Sequence, residues 1–107
     1  MIRGAVYPVD LGDAKRGHEQ RGRRLGVVIS IEQDAWSTVT IIPTSTSARA
    51  SVFRPEAAIA GRDTRILIDQ IRTIDVSYVA GELVDYLSPN DLAQVEHCLS
   101  RYFGLLR

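Results

Sequence analysis

One segment dictates how the rest of the chain must be arranged. The last twenty residues, "SPNDLAQVEHCLSRYFGLLR", carry a long helical repeat, and the segments before them read as short strands. Ser88 suits the N-cap, Pro89 the first helical position, and Asp91 stands three residues after the cap, where its charge complements the unsatisfied amides. Leu92, Val95, Leu99, Tyr102, Phe103 and Leu106 recur at helical spacing, and Gly104 marks the stop. A helix with one apolar stripe must lay that stripe on something. About six short strand patterns precede it, so the partner is a sheet. The expectation is a mainly β, α+β molecule: a small, strongly curved antiparallel sheet or half-open barrel capped by a C-terminal helix.

The strand patterns are brief and punctuated. "GAVYPVDL" (Gly4 to Leu11) contains Pro8, which removes a ladder donor and favours a sheet edge or strand end. Residues 12 to 23 hold Gly12, Gly17 and Gly22 among charges, the composition of a long loop. "LGVVISI" (Leu25 to Ile31) is continuously apolar and β-branched, which predicts a buried strand. "STVTIIP" predicts a strand stopped by Pro43, "SVFRPEAAI" one interrupted at Pro55, and "GELVDYL" a last short one. "TRILIDQIRTID" (Thr64 to Asp75) alternates, with Ile66 and Ile68 on one face, and predicts a single longer strand.

At 107 residues the chain suffices for one core, and a single domain over 1–107 is expected. No run approaches the roughly 18 apolar residues that span a bilayer, and "MIRGAVYPVD" has no export signal, so a cytoplasmic protein is expected. Cys98 is the sole cysteine, which excludes an internal disulfide and a cysteine-based zinc site. Its neighbours on the helical repeat make it a small hydrophobe. The net charge of zero conceals an asymmetry: residues 1–24 sum to +3 and residues 25–107 to −3. The basic end culminates in "KRGHEQRGRR", with five basic side chains in ten residues immediately before an apolar strand. That arrangement suits a local anionic ligand.

No glycine-rich phosphate loop, paired-histidine metal signature or serine elbow is present, so neither a metal nor a cofactor is expected. The polar candidates are His18, Glu19, Arg21, Arg23 and Arg24 from the first loop, Thr44, Ser45 and Thr46 after a strand, and Asp69, Gln70 and Arg72 in the alternating segment. Singly, each has a bland reading as rim, turn or solvated surface. Together they match one reaction. Cutting RNA without a metal takes a base for the ribose 2′-hydroxyl, an acid for the departing 5′-oxygen, and fixed positive charge on the phosphate. A histidine or carboxylate and a forked guanidinium supply those functions.

The segments "RGAVYPVDL", "GHEQRGRRLGVVIS", "IIPTSTS", "ILIDQIRTID" and "LSPNDLAQVEHCLSRYFGL", in this order from Arg3 to Leu105, resemble the MazF/PemK/Kid family of toxin endoribonucleases, the toxin half of bacterial type II toxin–antitoxin pairs. The resemblance implies an SH3-like β-barrel of the CcdB/MazF/Kid type with a C-terminal helix. It also implies a homodimer that cuts single-stranded RNA at short sequences without metal, leaving 2′,3′-cyclic phosphate and 5′-hydroxyl ends. A cognate antitoxin, with an acidic tail in the RNA channel, would be its protein partner.

Carried over position by position, Arg24 falls on the family's phosphate-binding arginine, and Ser45, with Thr46 as the alternative, on its site hydroxyl. His18 and Asp69 fall on the acid–base pair of the Kid-like branch. Glu19, Gln20, Arg21, Arg23, Gln70 and Arg72 would contact RNA. Two positions depart from the pattern. Leu25 stands where the family has a proline, and Leu67 where Kid-like members carry an arginine, which shifts weight to Arg24 with a hydroxyl partner. The identity of the base stays open. The competing readings are a gyrase poison of the CcdB type and a degenerate binding module of the same fold. "GHEQRGRR" and "DQIRT" favour the nuclease.

Overall fold

The computed structural model describes residues 1–12, 22–31 and 37–106. Among these are seven strands: β1 (Ala5–Asp10), β2 (Arg23–Val28), β3 (Thr38–Ser45), β4 (Glu56–Ile59), β5 (Arg62–Ile66), β6 (Arg72–Asp75) and β7 (Asp85–Tyr86). The helix α1 (Pro89–Tyr102) follows. All pairings are antiparallel, in the order β4-β5-β3-β2-β1-β7, with β6 beside the first half of β3. The two outer strands of this order are brought together where Asp85 Oδ2 accepts from the Ala60 amide in the β4–β5 turn, 2.8 Å away. The sheet is thus a nearly closed barrel with one C-terminal helix.

β3 organises the barrel because it serves three partners in turn. Thr38 to Ile41 pair with β6, Ile41 to Pro43 with β2, and Thr44 and Ser45 with β5. The strand therefore runs through Pro43 to Ser45, where the sequence predicted a stop. Proline offers no ladder donor, and here the gap coincides with the change of partner; its carbonyl still accepts from Leu67 N at 2.9 Å.

The continuous apolar runs in β2 and β3 have a simple cause. The sheet is covered on both faces, so neighbouring residues are buried on opposite sides. Val27 and Ile42, a registered pair, join the helix-side core with Ile59, Ile66, Val95 and Cys98. Val28 and Ile41, the next pair, join a second core with Val9, Leu11, Val39 and Ile74.

The segment predicted as one strand from Thr64 to Asp75 is two. β5 ends at Ile66, a 3-10 turn occupies Ile68–Gln70, and β6 begins at Arg72. Ile66, Leu67 and Ile68 are all fully buried, and Leu67, at φ −88° and ψ 77°, leaves the extended backbone of β5 to enter the turn. Ile68 N donates to Phe53 O at 3.1 Å there. Likewise β4 starts after Pro55, so the proline precedes the strand.

Ser88 caps α1 by accepting from Asp91 N at 3.1 Å, with Pro89 in the first turn. Val95 and Cys98 are buried, and Leu92 and Leu99 pack beside them. The Cys98 thiol donates to Val52 O at 3.4 Å, and burial raises its pKa. Gly104, with φ 69°, ends the helix in a Schellman turn: Leu105 N donates to Ser100 O and Gly104 N to Arg101 O. That turn directs the chain away from the core, so Phe103 and Leu106, predicted on the buried stripe, are exposed. Tyr102 stacks edge-on against Phe53 with centroids 5.1 Å apart. Among the described residues no helix is long and apolar enough to cross a membrane.

Candidate functional site

The divergence of β3 from β2 leaves an opening. β2 is paired with β3 only from Gly26 onward, while its first residues, Arg23 to Leu25, pair with β1 alone. Beyond Pro43, β3 turns towards β5. Thr44 Oγ1 donates to Leu25 O at 2.8 Å and stitches the two strands at the fork. The result is a cleft of 280 Å³. Arg23, Arg24 and Leu25 line it from β2, Thr44, Ser45 and Thr46 from the end of β3, and Ile59, Ala60, Arg62 and Thr64 from the β4–β5 hairpin.

Among the described residues, three arginines and no acid line this space. The guanidinium groups of Arg23 and Arg62 make no hydrogen bond or ion pair with the described residues. Arg23 and Arg62, two cations sharing a concavity without a counter-charge among the described residues, repel each other, and an anion relieves that repulsion. The forked guanidinium matches two oxygens of a phosphate or carboxylate.

The hydroxyls differ in what they already do. Ser45 is buried, and its Oγ accepts from Ala48 N at 3.0 Å and Ser47 N at 3.2 Å, which shapes the turn after β3. Thr46 is exposed, and its hydroxyl has no partner among the described residues. The opposite wall carries local strain: Ala60 sits at φ 50° and Gly61 at φ 78°, a two-residue turn with both central residues left-handed. The carboxylate of Asp85 braces that turn through the Ala60 amide. Its hydrogen bonds from Ala60 and Tyr86 hold Asp85 below the ordinary carboxylate pKa.

Asp69 and Gln70 are not among the residues that line the cleft. They lie on the 3-10 turn that packs against α1. The Asp69 carboxylate receives two parallel bonds from Arg54, Nε to Oδ1 at 3.0 Å and Nη2 to Oδ2 at 2.9 Å. This fork holds the Asp69 pKa below its usual value and raises that of Arg54. Arg65 is engaged beside it, with Glu56 at 3.2 Å and Arg54 O at 3.2 Å. Leu67, at the position where Kid-like members carry arginine, is wholly buried. Leu67 brings no charge to this position, and Arg54 is the cation that neighbours Asp69 instead. Spacing carries no signal for Arg54, because it stands fifteen positions from its partner with β4 and β5 between them.

Arg72 begins β6 and lines a different recess, with Asp10, Leu11, Gly12, Ser77 and Tyr78. His18, Glu19, Gln20 and Arg21 lie outside the described residues. The backbone on either side of them meets at Gly12 and Gly22, where Gly22 N donates to Gly12 O at 2.7 Å and Leu11 N to Gly22 O at 2.9 Å. That junction adjoins Arg23. Arg62 and Thr64 belong to the cleft but were not singled out as site residues from sequence; hairpin residues opposite a distant strand carry no spacing cue. Among the described residues no group of three His, Cys, Asp or Glu side chains could hold a metal ion.

Comparison with known proteins adds an independent line. Residues 2–103 match the family of PemK-like, MazF-like toxins of type II toxin–antitoxin systems. A curated Mycobacterium tuberculosis protein designated a candidate toxin is 62% identical over 105 residues, covering 98% of this chain and 99% of the relative. The crystal structure of MazF from Deinococcus radiodurans superposes with a TM-score of 0.84 at 23% identity, over 97% of this chain and 96% of that one. A mycobacterial endoribonuclease in complex with its cognate antitoxin superposes at 0.81 and 18% identity, over 100% and 98%. The toxin MazF-mt6 of Mycobacterium tuberculosis does so at 0.79 and 16%, over 96% and 99%. These structural likenesses establish the SH3-like barrel of this toxin type.

Proposed function

The chain belongs to the PemK-like, MazF-like toxins of type II toxin–antitoxin systems, and on that premise we propose that it is an endoribonuclease. In this reading it cuts single-stranded RNA at short sequences without a metal ion, leaving 2′,3′-cyclic phosphate and 5′-hydroxyl ends, and thereby arrests translation and growth. The observation that carries the reading is the 280 Å³ cleft ringed by Arg23, Arg24 and Arg62. As the ribose 2′-oxygen attacks phosphorus and the 5′-oxygen departs, negative charge grows on the non-bridging oxygens. Arginines fixed by β2 and by a short hairpin stabilise that charge without rearranging.

Arg24 is the principal phosphate ligand. Thr46 offers a hydroxyl for a second contact to the phosphate, while Ser45 holds the turn that presents it. Proton transfer falls to His18 and Asp69. The Arg54 fork lowers the Asp69 pKa, so its carboxylate is able to accept a proton near neutral pH but is a weaker base than an unpaired one. Glu19, Gln20, Arg21, Gln70 and Arg72 extend the contact to neighbouring nucleotides.

The reading includes two protein partners. A second copy of the chain covers the exposed apolar end formed by Tyr102, Phe103, Leu105 and Leu106, and a cognate antitoxin covers the arginine cleft with an acidic segment. The protein would work in the cytoplasm, where mRNA is translated.

The test is incubation of the purified protein with a long, mixed-sequence single-stranded RNA in EDTA. Discrete cuts with cyclic-phosphate ends that vanish in Arg24→Ala are expected. Intact RNA from a folded protein would sink the proposal.

A further inference from the structure

The recess that holds Arg72 is not needed by the phosphate chemistry, yet it is the larger of the two spaces, at 370 Å³. Its composition is unlike that of the cleft. Among the described residues it has, in place of several cations, one guanidinium, Arg72; one carboxylate, Asp10; and one exposed aromatic ring, Tyr78, with the buried Leu11 also in its lining. Arg72 and Asp10 are not within ion-pair distance of each other, and the Arg72 guanidinium makes no hydrogen bond or ion pair with the described residues. The Asp10 carboxylate is oriented by one bond, from Gly12 N to Oδ1 at 2.9 Å, and keeps acceptor capacity for more.

A ring, a donor fork and an oriented acceptor are the parts that bind a nucleobase. A base stacks on an aromatic side chain whatever its identity, and edge contacts select among bases. The fork of arginine fits O6 and N7 of guanine. A carboxylate fits the neighbouring N1–H and N2–H donors of the same base. Adenine offers one acceptor where the fork needs two, uracil has a single donor, and cytosine presents its donor and acceptors on one edge of a smaller ring. The recess also lies at the junction of β1 with β2: Asp10 is the registered partner of Arg23, which lines the phosphate cleft. A strand whose phosphate sits in the cleft has a neighbouring base within the same neighbourhood.

We propose that Asp10, Arg72 and Tyr78 form a guanine-binding subsite that contributes to sequence selection in the RNA. This rests on the ribonuclease reading for its biological use, but the binding itself can be measured without cleavage. The probes are the four free ribonucleoside monophosphates, followed by amide chemical shifts at Gly12, Ser77 and Tyr78. In parallel, cut sites are mapped on mixed-sequence RNA, and on the same RNA with inosine or 7-deazaguanine in place of guanine.

The expected result is saturable shifts with guanosine monophosphate at concentrations roughly tenfold lower than with the other three, and a preference reduced about tenfold in Asp10→Asn and Arg72→Met. Tyr78→Ala should weaken all four nucleotides together, since stacking does not discriminate. Cleavage at guanine-flanked sites should fall with either analogue. RNA cleavage with no guanine preference in either assay would overturn the subsite and leave the ribonuclease standing. Guanine-selective shifts in a protein that leaves RNA whole would keep the subsite and remove the ribonuclease. Equal or cytosine-selective binding would overturn the guanine assignment, and shifts produced only by an acidic peptide would assign the recess to a protein partner.

Discussion

The molecule uses arginine in two opposite ways, within one barrel. Around the 3-10 turn, Arg54 and Arg65 are paired: Arg54 forks onto Asp69, and Arg65 reaches Glu56 and donates to the Arg54 carbonyl. Around the fork of β3, Arg23 and Arg62 stand in a concavity with no counter-charge among the described residues, beside Arg24. A paired guanidinium contributes to the fold and has little left to offer a ligand. Unpaired guanidiniums in a cleft are mutually repulsive until a ligand arrives, so their placement serves binding. The contrast also explains how this chain manages with Leu67. A buried leucine completes the core at the point where β5 turns, and the cation beside Asp69 comes from the β3–β4 connection.

The largest expected effect tests the cleft. Arg24→Ala should reduce cleavage of single-stranded RNA by about 10²–10³-fold, the usual loss when one preorganised charge-stabilising donor is removed. Cleavage rates under single-turnover conditions measure it, and thermal melting of the same sample separates lost chemistry from lost fold. A variant that melts like the parent and still cuts would break the assignment of the cleft.

Arg62→Ala and Arg23→Ala should act more mildly and on binding. Each is expected to weaken affinity for an uncleavable 2′-deoxy-substituted RNA several-fold and to lower the slope of log affinity against log salt by about one. Because neither guanidinium has a partner among the described residues, melting should not change beyond about 0.5 kcal/mol. An unchanged salt slope would move the phosphate seat elsewhere.

The paired group should show itself in stability as well, over and above the proton transfer proposed for Asp69. Asp69→Asn and Arg54→Met are expected to lower stability at pH 7 by about 1 kcal/mol, the scale of a partly exposed charged hydrogen-bonded pair. For a domain of this size that is about 4–8 °C in melting temperature. The folded-state pKa of Asp69 lies below the ordinary 3.8. Its stabilisation is therefore fully present above that value and is lost as pH falls through the lower folded one. Denaturant midpoints of parent and Asp69→Asn should converge in acid. A gap that widened in acid would contradict the fork as the source of the stability.

The same contrast marks what could be read from sequence. The helix, its cap and its stop were legible because they depend on local chemistry: Ser88, Pro89 and Gly104 act on backbone groups within a few residues of themselves. The buried strands were legible as β-branched runs, and Arg23, Arg24, Ser45 and Thr46 as candidates flanking them. What could not be read depends on partners far along the chain. Pro43 looks like a terminator until β3 changes neighbours there. Alternation carried one strand from Thr64 to Asp75 because Ile66 and Ile68 fit a period of two, and the turn at Leu67 answers to packing against Phe53 and the helix, which no local period shows. Arg54, Arg62 and Tyr78 gain their surroundings from strands paired across the barrel, and no spacing announces that.

The smallest effect concerns the wall between these regions. Ala60 pays for a left-handed backbone at φ 50° in a turn whose second residue, Gly61, adopts φ 78° without cost. For an L-residue with a Cβ this conformation costs roughly 1–2 kcal/mol, and asparagine tolerates it better than alanine because its side chain bonds locally. Asn-Gly is also the pair most favoured in two-residue hairpins of this type. Ala60→Asn should therefore raise stability by about 0.5–1 kcal/mol, seen as a melting temperature higher by a few degrees. Glycine at the same place relieves the strain but frees the unfolded chain, so Ala60→Gly should change little. If Ala60→Asn melted no higher than the parent, the bond from the Ala60 amide to Asp85, and not the dihedral preference of residue 60, would be what sets the energy of this wall. Asp85→Asn would then be the more damaging change, and the arginine cleft would owe the position of Arg62 to a single carboxylate across the barrel seam.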